Sequence, residues 1–192
     1  MNAQTKKWIF RSIILALLIL LPKLVQDRYF MHIVVMTGIF IIMTLSWNLL
    51  AGYTGQLNLG HAAFFGIGAY TSALVAMQLG LSPWIGLFVG GFVAAFFGLL
   101  LGIPALRLSG PYLAITTIGF AEILRLVAVN WVGLTRGSLG LSGVPLLTPI
   151  HLFGWRFKFY FERDYYYVIL AAVLLTLLCV RRLVRSEFGV SL

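Results

Sequence analysis

The sequence predicts an all-α fold, a polytopic bundle of about six membrane-spanning helices, on three observations. Hydrophobic residues fill 61% of the 192 positions and charged residues only 10%, whereas a soluble domain is about a quarter charged. Mean hydropathy is +1.00. The apolar residues collect in runs close to the roughly 20 residues that a bilayer crossing needs. A chain of this length keeps much of its surface outside any core, so lipid is the solvent that suits such a composition.

The spans are read in order. Trp8 to Leu21 is short and carries Arg11, whose charged head can snorkel to the interface; an interfacial helix is the alternative there. Lys6 and Lys7 precede it, but Leu20-Leu21-Pro22-Lys23 offers no small-residue cleavage site, so an uncleaved first helix is expected. Met31 to Ala51 is a clear span, as is Leu59 to Leu79 despite His61. Pro83 to Leu106 is the longest run. Tyr112 to Trp131 is helical in pattern but holds Glu122 and Arg125, and Tyr165 to Val180 is short and strongly apolar. Trp8, Tyr29, Trp47, Tyr53, Trp84, Tyr112, Trp131 and Tyr165 sit near the ends of these runs, as interfacial rings do.

The 14 Lys and Arg against 5 Asp and Glu give a net charge of +9. No basic run lies on a polar, aromatic-interleaved surface, so the excess points to membrane topology and not to nucleic acid. With the N-terminus inside, Lys6, Lys7, Arg11, Arg107, Arg181, Arg182 and Arg185 fall on the cytoplasmic side. Lys23, Arg28, Arg136, Arg156, Lys158 and Arg163 fall opposite, mostly in the long extracytoplasmic segment from Val132 to Asp164. Long segments count less in the charge rule, which favours N-in and C-in. The first half of that segment is rich in Gly and Pro, and His151 to Asp164 can form a hairpin or a surface helix. The whole of 1–192 is expected to be one transmembrane region.

Certain residues do not suit a plain membrane helix. Gly86, Gly90, Ala94, Gly98 and Gly102 recur every fourth position, a stripe on which another backbone can approach closely. Ordinary packing within the bundle is the plainer reading, and a subunit contact or moving interface the other. Gly52 to His61 is glycine-rich and bears Gln56, Asn58 and His61 between two spans. Either it is a cytoplasmic turn with Asn58 as helix cap, or a discontinuous helix near 52–61 that lines a pathway. Glu122 and Arg125, three apart, share a helix face with Thr116 and Gly119 nearby. A structural ion pair or a gating element fits them, and the face should point away from lipid.

Other chemistries lack their residues. No phosphate-binding glycine loop, zinc spacing or polar Ser/His/Asp arrangement is present, and His61 has no second ligand at metal spacing, so no metal, cofactor or catalytic residue is expected. Cys179 is alone in an apolar run, which rules out an intramolecular disulfide.

The run SWNLLAGYTGQLNLGHAAFFGIGAYTSAL from Ser46 to Leu74 resembles the membrane subunits of ABC importers for branched-chain amino acids, in their LivM-type branch. LRLSGPYLAITTIGFAEILRLV (Leu106 to Val127) and LTRGSLGLSGVP (Leu134 to Pro145) resemble them too. The resemblance implies a permease subunit in a bacterial inner membrane. It implies as partners a homologous LivH-like permease, two cytoplasmic ATPases and a periplasmic or lipid-anchored solute-binding protein. It makes Gln56, Asn58, His61, Thr116, Glu122 and Arg125 candidates for the pathway or its gate. Urea and short-chain amide permeases share these motifs and are the nearest alternative. In such permeases a segment similar to Arg185-Ser-Glu-Phe-Gly189 precedes the ATPase-coupling loop, whereas this chain stops at Leu192. An N-terminal portion, a fragment or part of a split permease is therefore expected, and a membrane interaction protein without transport activity is a further alternative.

Overall fold

A computed structural model describes residues 3–25, 27–105, 107–108, 110–152, 155–157 and 162–185. Its long helices are α1 (Ala3–Leu24), α2 (Arg28–Asn48), α3 (His61–Gln78), α4 (Pro83–Ala105), α5 (Pro111–Asn130) and, after the single turn α6 (Val132–Thr135), α7 (Glu162–Arg185). A short antiparallel hairpin of β1 (Ile150–Leu152) and β2 (Trp155–Phe157) lies between α6 and α7, with Ile150 opposite Phe157. The hairpin, and not the surface helix, is thus what forms in the second half of the long segment.

The helix ends follow local chemistry. Asp27 caps α2, its Oδ1 accepting from the Tyr29 amide at 3.1 Å. Pro83 and Pro111 each open a helix, where a missing N–H and a fixed φ carry no penalty. At its far end α7 runs on past the apolar stretch through Arg181, Arg182 and Arg185, since Arg and Leu sustain a helix outside the apolar layer.

Among the described residues, four segments are long and apolar enough to cross a membrane: Arg28–Tyr53, Pro83–Ala105, Pro111–Asn130 and Glu162–Arg185. The other two long helices carry polar residues inside or at the edges of their apolar runs. Lys6, Lys7, Arg11 and Lys23 lie within α1, and α3, at 18 residues, has His61 and Gln78 at its ends. Large apolar side chains face outward along α4, with Phe92 77% exposed and Leu99 67%. Such surface suits lipid, not water.

Hydrogen bonds between distant segments fix which helix ends lie together. Tyr166, near the start of α7, donates to the Leu18 carbonyl near the end of α1 at 2.8 Å. The start of α2 follows within a few residues, on that same side. Ser82 and Trp84, at the start of α4, bond Thr148 at 2.7 and 3.1 Å. The neighbouring Leu147 amide donates to Tyr165 at the start of α7. Consecutive long helices therefore alternate in direction, as a polytopic bundle requires. Within it α3 packs on α4, α2 on α7, and α5 on α3, where Phe64 and Phe120 rings stand 5.9 Å apart.

Candidate functional site

The connection between α2 and α3 is broken in a defined way. The last turn of α2 widens into a π-helical turn, Leu49–Tyr53, a form common beside functional sites. Gly55 then reverses the chain at φ +68, a conformation that a Cβ disfavours. Two local bonds hold the stretch that follows. The Trp47 indole donates to the Asn58 carbonyl at 2.8 Å, and Asn58 Oδ1 accepts from the Gly60 amide at 2.9 Å. Asn58 thus closes a turn just before α3 instead of capping it; the cap position is Gly60, which has no side chain to offer.

The broken stretch is anchored on α5. The Leu59 amide donates to Thr117 Oγ1 at 3.1 Å, and Thr117, fully buried, donates its own proton to the Ala114 carbonyl at 2.9 Å. Gly60 lies so close that a Cβ there would stand 2.6 Å from the Thr117 carbonyl oxygen. Thr117 is six residues into α5, about 9 Å along its axis. The irregular backbone therefore reaches into the helix layer and is satisfied by protein, the condition under which such backbone is tolerated at depth. Gln56, Asn58 and His61 are half-buried around it. His61 Nδ1 is enclosed and has no hydrogen-bond partner among the described residues.

The expected polar residues thus fall into two groups. Gln56, Asn58 and His61 share the broken connection, whereas Thr116 is exposed and its neighbour Thr117 makes the contact. Leu113, Thr117, Phe120 and Leu124 form the inward stripe of α5, a stripe that helical spacing allows but does not single out from the equally apolar face of Ile115 and Ile118. Glu122 and Arg125 form a bidentate pair, Nε to Oε2 at 2.8 Å and Nη2 to Oε1 at 2.6 Å. Their side chains are 51% and 59% exposed. Glu122 lies about 140° around α5 from Thr117 and about 16 Å from the helix start, near its middle. The pair therefore faces away from the described helices. Among the described residues no cluster of His, Cys, Asp and Glu is placed to hold a metal ion.

The glycine stripe also divides. A Cβ on Gly90 would meet the Gly68 carbonyl at 2.5 Å, and one on Gly86 the Ser72 carbonyl at 2.7 Å, so this half is the α3–α4 seam. Gly98 has only Phe64 at 4.0 Å and Gly102 nothing within 4 Å.

The family described as branched-chain amino acid transport system / permease component matches residues 29–192, which covers every element from α2 onward. The chain belongs to this permease family. The high-affinity branched-chain amino acid transport system permease protein LivM of Escherichia coli (strain K12) is 38% identical to it over 206 residues, 98% of this chain. The protein of the same name from Salmonella typhimurium LT2 is also 38% identical over 98% of the chain. The chain spans about half the length of these curated relatives, 48% in each case. No solved structure matches it.

Proposed function

We propose that the chain is a translocating part of an ABC importer for branched-chain amino acids, working in a bacterial inner membrane with both ends of its helix set, at α1 and α7, on the cytoplasmic side. The observation that supports this most is the family match from residue 29 to 192, together with relatives whose names specify that substrate. The geometry is compatible. The Glu122–Arg125 pair presents both charge signs that a zwitterionic amino acid bears, with exposed Ile115, Ile118 and Ile123 around it as an apolar surface for a branched side chain. The broken connection at Gln56, Asn58 and His61, held between α2 and α5, is the proposed gate. The segment 132–164 faces outward, toward a solute-binding protein.

In this reading a homologous permease subunit completes the pathway, and two cytoplasmic ATPases drive it. Affinity purification from the native membrane in mild detergent tests the assembly. The reading expects a second permease and an ATPase to co-purify, with ATP hydrolysis stimulated by leucine plus the binding protein. Isolation without either partner, or stimulation by urea and not leucine, would contradict it.

A further inference from the structure

A cavity of about 590 Å³, open to the outside, lies at the far end of α7. Leu175, Leu178, Cys179, Arg181, Arg182 and Arg185 line it. Its wall is graded along one helix. Leucines and the thiol stand within the last turns of the apolar run, and the guanidinium groups follow one turn later, where the run ends. All three arginines are exposed, and none has a carboxylate partner among the described residues.

Among the described residues the charge on this side is basic. The alternation of the helices places the starts of α1, α3 and α5 and the ends of α2, α4 and α7 together. Lys6, Lys7, Arg11, Arg107, Arg181, Arg182 and Arg185 belong to this side, and among the described residues no carboxylate does. Asp27, Glu162 and Asp164 are all at the opposite ends.

We propose that this cavity binds an anionic glycerophospholipid of the surrounding leaflet. Its phosphate sits among Arg181, Arg182 and Arg185, and its acyl chains lie along Leu175 and Leu178. Guanidinium forks match phosphate oxygens bidentately, and basic pockets at the membrane edge collect anionic head groups. The grading from leucine to arginine is the amphipathic profile of a lipid, which a free phosphate would not use. The inference depends on the chain lying in a membrane and not on what it transports.

The chain contains a single cysteine, and it lines this cavity, so a label reports on the site without engineering. Bimane is attached to Cys179 of the full chain in nanodiscs of phosphatidylcholine. Acyl-brominated phosphatidylglycerol or acyl-brominated phosphatidylcholine is then added at equal mole fraction and fixed ionic strength. The proposal expects the anionic lipid to quench at about fivefold lower mole fraction, as basic groups at a charged surface would produce. Arg182→Gln with Arg185→Gln should erase the difference, whereas Arg107→Gln, on the same side but outside the cavity, should retain it. Equal quenching by both lipids in the unaltered protein would overturn the proposal, and that comparison needs no variant to fold. So would reversal of the preference by inorganic phosphate, which marks a phosphate site, or its loss in Arg107→Gln, which marks a diffuse surface charge.

Discussion

The phenol of Tyr166 donates to the carbonyl oxygen of Leu18 at 2.8 Å, and Leu18 is the residue four before Pro22. Pro22 has no N–H, so the Leu18 carbonyl lacks its ordinary helical donor. Tyr167 reaches the next carbonyl, Ile19, at 3.4 Å. A break in the α1 ladder is thus satisfied by α7, which ties α1 to the bundle. Where no water competes, a carbonyl released by proline must find such a partner.

Tyr166→Phe should lower stability in detergent by about 1 kcal/mol, the scale of a hydrogen bond between membrane helices. In a Pro22→Ala background the same change should cost clearly less, because alanine at that position supplies the missing amide. Thermal unfolding of the four proteins measures the coupling, and equal costs in both backgrounds would refute the link.

Gly60→Ala forces a methyl against the Thr117 carbonyl, where only 2.6 Å is available. Overpacking of this kind costs about 1–3 kcal/mol, and it should separate the broken connection from α5. Gly66→Ala, on α3 with open space around it, should be neutral or stabilising by up to about 1 kcal/mol through helix propensity. Melting temperatures of the two variants provide the comparison.

Gly90→Ala and Gly102→Ala probe the two halves of the glycine stripe. The first should cost about 1–3 kcal/mol because the α3 backbone at Gly68 cannot retreat easily, and the second should cost nothing. Similar losses in both would show that the whole stripe is packed in the assembled protein.

Glu122→Gln leaves Arg125 without its counter-charge in the middle of α5. The amount of folded protein in the membrane should fall, and Glu122→Gln with Arg125→Gln should restore it, since a lone charge at depth is worse than none. Leucine uptake should stay low in the double variant, because both charges of the proposed pathway are gone. Quantitative blotting beside uptake separates the two effects.

Much of this fold is legible in the sequence because the bilayer imposes long apolar runs. The starts at Pro83 and Pro111 lie within a residue of expectation, and α7 differs mainly where Arg181 to Arg185 extend it beyond the apolar stretch. Pairings between distant residues were not legible. Nothing near Pro22 announces Tyr166, which lies 148 positions from the Leu18 carbonyl it serves. At the site, the polar stretch from Gln56 to His61 stands out by composition, yet choosing Thr117 over Thr116 requires knowing which face of α5 turns inward. The bidentate Glu122–Arg125 pair follows from their spacing, whereas its outward orientation follows only from how α5 packs on α3.

The most direct test of the central claim is uptake of radiolabelled leucine, isoleucine, valine and urea by cells carrying the complete operon, with and without this gene. The account predicts that branched-chain amino-acid uptake drops to background on deletion and returns on complementation, with urea unaffected. Unchanged leucine uptake, or loss of urea uptake in its place, would contradict it.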